Sequence, residues 1–261
     1  MSERKPYVGG NWKMNTDLAG ASELARSVAD GLATAEGVEA AVFPPFPYLI
    51  PVGGMLRDRH SNVKLGAQDL YPEPDGAFTG EVSIAMLQDC GVKTVLVGHS
   101  ERRHVIGEDE ALLARKTSAV LESGLECVLC IGEKLEEREA GQTNAVNERQ
   151  LRSGLGQVTV EQMARLTVAY EPVWAIGTGK TATPDDAQTA HAHIRGVLAD
   201  LFGDGVAQAV RIQYGGSVKP HNAHELFSMP DIDGGLIGGA ALKAADFVPI
   251  VKAAAGAPVS G

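Results

Sequence analysis

Ala169-Tyr170-Glu171-Pro172-Val173-Trp174-Ala175-Ile176-Gly177-Thr178-Gly179-Lys180 begins as one kind of structure and ends as another. The apolar residues leading into it, Leu166 and Val168 with Thr167 and Tyr170, read as a short buried strand. The strand ends on a carboxylate, Glu171. Pro172 follows, and without an N–H it cannot continue a ladder. Gly177 and Gly179 permit backbone angles that other residues resist. A second hinge, Lys180-Thr181-Ala182, leads to Thr183-Pro184-Asp185-Asp186. That order suits a helix start: an N-cap, a proline in the first turn and acidic residues beside it. The unit is therefore strand, carboxylate, glycine-bearing loop, helix. An apolar loop centre at Trp174, Ala175 and Ile176 suits a base beneath a closing loop. The bland alternative is a solvated loop that happens to start with glutamate.

The same unit recurs along the chain. Short apolar runs occur at 7–10, 40–43, 63–67, 94–98, 127–131, 166–170, 210–214 and 235–237. Helical periods lie between most of them. Leu24, Val28 and Leu32 step by four within Ser22–Leu32, and 82–89, 187–201 and 245–254 read similarly. Strands alternating with helices predict parallel pairing through right-handed crossovers. An open doubly wound sheet is one solution. The count of eight and the length of 261 residues favour the other, a single closed (β/α)8 barrel. Gly9-Gly10-Asn11 does not make a dinucleotide fingerprint. One domain is expected over residues 1–255, with 256–261 as a frayed tail.

Composition narrows the partners. The formal charge of −10 argues against nucleic acid or an anionic membrane surface. A small anionic substrate is still allowed, because local fields in a pocket decide its binding. No apolar run approaches the ~18 residues of a membrane span, and Met1–Lys13 has no apolar signal core. A cytoplasmic protein is expected. Cys127-Val128-Leu129-Cys130 sits within a strand-like run. Residues three apart on a strand are ~10 Å apart on opposite faces, too far for a disulfide, which needs Cα atoms within ~7 Å. Two reduced core cysteines are expected. No metal-ligand spacing occurs, and neither a metal nor a cofactor is expected; His221 and His224 read as surface histidines.

In a barrel of this kind, chemistry gathers at the C-terminal strand ends. Asn11 and Lys13 follow the first strand, and His99, Ser100 and Glu101 the fourth. Gly132 and Glu133 follow the fifth, and Glu171 the sixth. Gly215-Gly216-Ser217 and Gly238-Gly239 follow the seventh and eighth. Each alone has a structural explanation, a surface charge or a turn glycine. Jointly they place a lysine, an imidazole and a carboxylate on one face. The glycine turns of neighbouring strands offer bare N–H groups to a phosphate, with Gly177 adding one more. Ser100 reads as an N-cap, so the helix end disfavours a cation at His99. The set suits proton abstraction beside a carbonyl. Glu171 is the base, His99 a neutral donor polarising the carbonyl, and Lys13 stabilises the enediolate.

These residues carry a resemblance. Gly10-Asn11-Trp12-Lys13-Met14-Asn15, Gly76-Ala77-Phe78-Thr79-Gly80-Glu81, Gly98-His99-Ser100-Glu101-Arg102-Arg103, Tyr170–Lys180 and Tyr214-Gly215-Gly216-Ser217-Val218 resemble the triosephosphate isomerase family along nearly the whole chain. The resemblance implies interconversion of dihydroxyacetone phosphate and glyceraldehyde 3-phosphate in glycolysis and gluconeogenesis. It implies Lys13, His99 and Glu171 as catalytic residues. Asn11, Lys13, Gly177, Ser217, Gly238 and Gly239 would hold the substrate. Ser100, Glu101 and Cys130 are read as supporting residues. A homodimer is implied, with the loop Gln68–Glu81 at its interface. Two positions depart from the family's usual pattern, which has asparagine at Asp69 and serine at Ala241. A phosphate-binding barrel of other chemistry would not need Glu171 with His99, and a non-catalytic scaffold would not need Lys13, His99 and Glu171 together.

Overall fold

Tyr7–Asn11 (β1) alternates between two environments, and that alternation builds the molecule. Tyr7 packs inside a ring of strands, while Val8 faces the helices outside it. The computed structural model describes residues 4–175 and 182–256. Seven further strands follow: Glu39–Phe43 (β2), Lys64–Ala67 (β3), Thr94–Val97 (β4), Glu126–Ile131 (β5), Leu166–Tyr170 (β6), Arg211–Tyr214 (β7) and Gly234–Ile237 (β8). Each pairs in parallel with the next, and β8 pairs with β1, closing an eight-stranded barrel. Every strand expected from the sequence is present, displaced by a residue or so at its ends.

Two cores result. Inside the barrel sit Tyr7, Ala41, Phe43, Leu96, Val128, Cys130, Ala169 and Leu236. Between barrel and helices lies the larger apolar layer. Its helices are Leu18–Gly31 (α1), Leu49–Asp58 (α2), Ile84–Asp89 (α3), Glu110–Glu122 (α4), Leu135–Glu139 (α5), Thr143–Leu155 (α6), Pro184–Phe202 (α7), Asp204–Ala209 (α8), Pro220–Phe227 (α9) and Ala244–Ala254 (α10). Each fully buried Leu, Val or Phe here stabilises the fold by roughly 1.5–3 kcal/mol. Cys127 belongs to the outer layer and Cys130 to the inner, and both are free thiols, as the strand alternation requires. Helix α7 starts as expected: the Thr183 hydroxyl accepts from Asp186 N–H (3.1 Å), and the Asp186 carboxylate accepts from Thr183 N–H (3.2 Å). Such a cap is worth about 1 kcal/mol. Most of the tail expected to fray, residues 257–261, lies outside the described residues. Among the described residues no helix is long and apolar enough to cross a membrane.

Candidate active site

At the C-terminal strand ends, Asn11, Lys13, His99, Glu171, Ser217, Gly238 and Gly239 line one cavity of about 260 Å³. Gly215, Gly216, Lys219 and Leu236 also line it. Residues from β1, β4, β6, β7 and β8 and the turns after them thus meet across the barrel mouth. Gly177 and the rest of 176–181 lie outside the described residues, and with them Ile176 of the expected loop centre and part of the exit hinge.

Glu171 directly follows β6 and is 2% exposed. Close approach of its neighbours fixes its backbone. A Cβ on Gly132 would stand 1.8 Å from the Glu171 carbonyl oxygen, and one on Gly215 2.8 Å from Glu171 Cγ. Side chains at those two positions would push the carboxylate out of place. One oxygen of Glu171 accepts from Ser100 N–H (2.9 Å), and the other lies 3.0 Å from His99 Nε2. Burial opposes the charge. The His99 imidazole, the Ser100 N–H and the Lys13 ammonium outweigh it, and they hold the carboxyl below its ordinary value.

His99 is buried. Its Nδ1 accepts from Glu101 N–H at 3.3 Å, and its carbonyl accepts from Arg102 and Arg103 N–H at 2.8 and 3.1 Å. His99 therefore holds the capping place at this helical turn, which continues as the wide π turn Arg102–Ile106. Ser100, expected as the N-cap, lies one residue inside and spends its N–H and hydroxyl on Glu171. An acceptor Nδ1 describes an imidazole carrying its proton on Nε2. The helix end alone would favour that neutral ring, as would burial. With Glu171 in contact the balance reverses, and the carboxylate raises His99 above its ordinary value. The expectation of a depressed His99 weighed the helix end without a carboxylate at 3.0 Å.

Lys13 has a backbone that the sequence does not announce. Its φ is 51°, in the left-handed region that non-glycine residues seldom occupy. Lys13 N–H donates to Asn11 Oδ1 (2.9 Å), and Gln68 Nε2 donates to the Lys13 carbonyl (2.8 Å) and the Phe43 carbonyl (2.9 Å). These bonds over-determine a strained residue. Its ammonium meets Glu101 Oε1 at 2.6 Å, so Glu101 is a tether for Lys13. Cys130 is buried under the site, its thiol pushed up by burial and by the Glu171 carboxylate.

Gln68 and Glu133 are residues to which the sequence assigns no role at the site. Glu133 was visible at the end of β5 but had no evident partner. It accepts from Tyr170 OH (3.1 Å) and Trp174 Nε1 (2.9 Å), holding the short turn Val173–Ala175 after the base. Burial raises it above the ordinary carboxyl value against those bonds. Nothing in the residues around Gln68 points to Lys13, 55 positions away. Lys219 adds a cation to the wall and reads in the sequence only as a helix-start surface residue. His191 is fully buried with Nδ1 on the Asp231 carbonyl (3.1 Å), while His193 is half-buried with Nε2 on the Asn144 carbonyl (3.2 Å).

Comparison with known proteins agrees with this arrangement. The family described as triosephosphate isomerase matches residues 6–254. A triosephosphate isomerase of Carboxydothermus hydrogenoformans is 56% identical over 249 residues, covering 95% of this chain and 98% of that protein. One from Chloroherpeton thalassium is 51% identical over 252 residues, covering 96% and 99%. One from Treponema pallidum subsp. pallidum is 52% identical over 246 residues, covering 94% and 98%.

Proposed function

The chain belongs to the triosephosphate isomerase family and interconverts dihydroxyacetone phosphate and D-glyceraldehyde 3-phosphate, and we propose that it does so through an enediolate made by Glu171, His99 and Lys13. One observation carries the reading: a buried carboxylate and a buried imidazole 3.0 Å apart at the wall of a cavity that also holds an ammonium and two glycine turns. Glu171 is held by His99 and Ser100, and a carboxylate so held is a weak base. Turning its free electron pair toward substrate carbon gives up those contacts and makes it a stronger one.

The same movement resets His99. With the carboxylate turned away, burial, Lys13 and the Glu101 N–H at Nδ1 all favour the neutral ring. Nε2–H then donates to the carbonyl oxygen as negative charge grows there, and passes the proton between the two oxygens. Lys13 supplies fixed positive charge to the enediolate. Asn11 sets the Lys13 peptide, and Ser217, Gly238 and Gly239 receive the phosphate through neutral donors. The loop read from the sequence after Trp174, with Gly177, completes this reading by excluding water from the intermediate.

One barrel domain over residues 1–255 is the functional unit in this reading, working in the cytoplasm where glycolysis and gluconeogenesis run. It works as a homodimer. Met14, Phe78, Met86, Val105 and Ile106 are exposed apolar residues on the segments after β1, β3 and β4. Such a concentration supports an interface that includes the loop Gln68–Glu81. A coupled assay with glyceraldehyde 3-phosphate tests the reaction, and absence of turnover would overturn it. Light scattering at micromolar concentration tests the dimer, and a monomer would refute it.

A further inference from the structure

Asp69 is one of the two departures from the family's usual pattern, and its surroundings are unlike a loop's. It is 4% exposed, and both of its oxygens are used. Oδ1 accepts from Lys116 Nζ (2.7 Å), and Oδ2 forms an ion pair with Arg102, 2.9 Å from its Nη2. Glu108 Oε1 accepts from the same two cations, at 2.5 and 2.6 Å. Two carboxylates therefore answer two cations in a cluster where Lys116 is 1% exposed. An asparagine at 69 would fail twice. It would leave the buried Lys116 and the partly buried Arg102 facing one contacting carboxylate, Glu108, in place of two. Its amide would also turn a donor toward one of two donors, because only one of its atoms accepts. Breaking a buried charge set by removing one partner is costly because the remaining charge is left unanswered.

The cluster's position gives Asp69 a consequence for the reaction. Gln68 and Asp69 are adjacent and reach in different directions. Gln68 holds the carbonyl of strained Lys13. Asp69 holds Arg102, whose own N–H donates to the His99 carbonyl at 2.8 Å. We infer that Asp69 is a positioning residue: by neutralising the Arg102–Lys116 pair it locks the start of the β3 loop to the His99 turn, and through Gln68 it sets the spacing of Lys13 and His99 within one chain. The inference rests on the catalytic roles given above to Lys13 and His99.

The test is a charge-balance series in the full-length protein: Asp69→Asn, Lys116→Met and Asp69→Asn/Lys116→Met. Each is assayed with glyceraldehyde 3-phosphate, with inorganic phosphate as a competitive inhibitor. A small displacement of catalytic groups lowers turnover more than binding. Asp69→Asn is expected to lower kcat by about tenfold. KM and inhibition by phosphate should stay within about twofold, because the glycine turns are untouched. The double variant again has one cation and one carboxylate, and should recover to within about threefold of the starting kcat. If Asp69→Asn does not fold, the double variant decides: it must fold and turn over, and failure to do so overturns the inference. Asp69→Asn with unchanged kcat and only a lower melting temperature would reduce the residue to a structural one. A double variant as slow as Asp69→Asn would also refute the charge-balance argument. Lys13→Ala and His99→Ala run alongside separate the two failures. If they retain turnover the site assignment falls; if they lose it while Asp69→Asn does not, only the positioning role falls.

Discussion

The barrel has a hollow at each end, and the larger one is not where the catalytic set lies. The hollow at the N-terminal end measures about 820 Å³ and is lined by Arg4, Lys5, Glu39, Glu126 and Arg211. Lys64 beside it meets Glu126 at 2.6 Å and Glu39 at 3.0 Å, and Arg211 meets Glu39 at 2.7 Å. Lys64 and Arg211 also lie 5.8 and 5.0 Å from the Tyr7 ring centre. There Lys64 and Arg211 are answered by fixed carboxylates and a ring. At the other end the cavity is about 260 Å³, and the buried Glu171 and His99 face each other, held mainly by hydrogen bonds from Ser100 and the Glu101 N–H. Saturated charges stabilise; a small buried set with open space before it can react. Volume does not separate these cases, and the state of the charges does.

Breaking that comparison at the reactive end should produce the largest effects. Glu171→Asp withdraws the carboxylate by a methylene, and misplacement on that scale costs roughly 100-fold, mainly in kcat. His99→Ala removes the donor to the developing oxyanion, costing on the order of 100- to 1,000-fold. Steady-state kinetics measure both losses, and melting curves show that each variant is folded at the assay temperature.

Histidine titration sharpens the comparison within one spectrum. His191 is buried, and burial depresses it to about 4. The unfolded chain binds that proton more readily, so the stability contributed by a neutral His191 is complete above about pH 6.5. It is lost as pH falls toward about 4, a change of about 3 kcal/mol. His99 has the opposite sign. Its folded value is raised, so its contribution is present below the ordinary histidine value and is lost as pH rises through the folded one. NMR titration of the ligand-free protein should find His191 neutral at pH 5.5 and His99 protonating above the ordinary value of 6.5. His191 charging near pH 6.5 would contradict burial as the dominant influence on it.

The saturated end should answer in stability alone. Lys64→Met leaves Glu39 and Glu126 facing each other without a shared cation, at about 1–3 kcal/mol for a partly buried set. Urea unfolding measures that loss, and kcat should be unchanged. A drop in turnover comparable to that of Glu171→Asp would erase the distinction between the two ends.

Much of the fold was legible because it repeats. Apolar runs such as Leu166–Tyr170 and Cys127–Ile131 recur at a spacing that only a barrel or a doubly wound sheet satisfies, and the catalytic residues fall at their ends. Short helices such as Asp204–Ala209 and the π turn Arg102–Ile106 had too few residues to express a period. What was not legible depends on tertiary contact. The left-handed backbone of Lys13 has no glycine to announce it, and the bond from Gln68 that supports it comes from the end of β3, 55 residues away. Ser100 looked like a cap because serine prefers that place, but its N–H and hydroxyl go to a carboxylate 71 residues away. The direction of the His99 shift depended on that same carboxylate.

The central claim is that Glu171 moves a proton from substrate carbon through an enediolate. The most direct measurement follows dihydroxyacetone phosphate in D2O by NMR, with the unaltered protein and with Glu171→Gln. A proton held on a carboxylate exchanges with solvent, so the unaltered protein should place solvent deuterium on the carbon beside the carbonyl. Glu171→Gln lacks the base and should place essentially none. Isomerisation without any solvent deuterium would mean hydrogen passes directly between the carbons. Either that result or undiminished exchange in Glu171→Gln would contradict the assignment of Glu171 as the base.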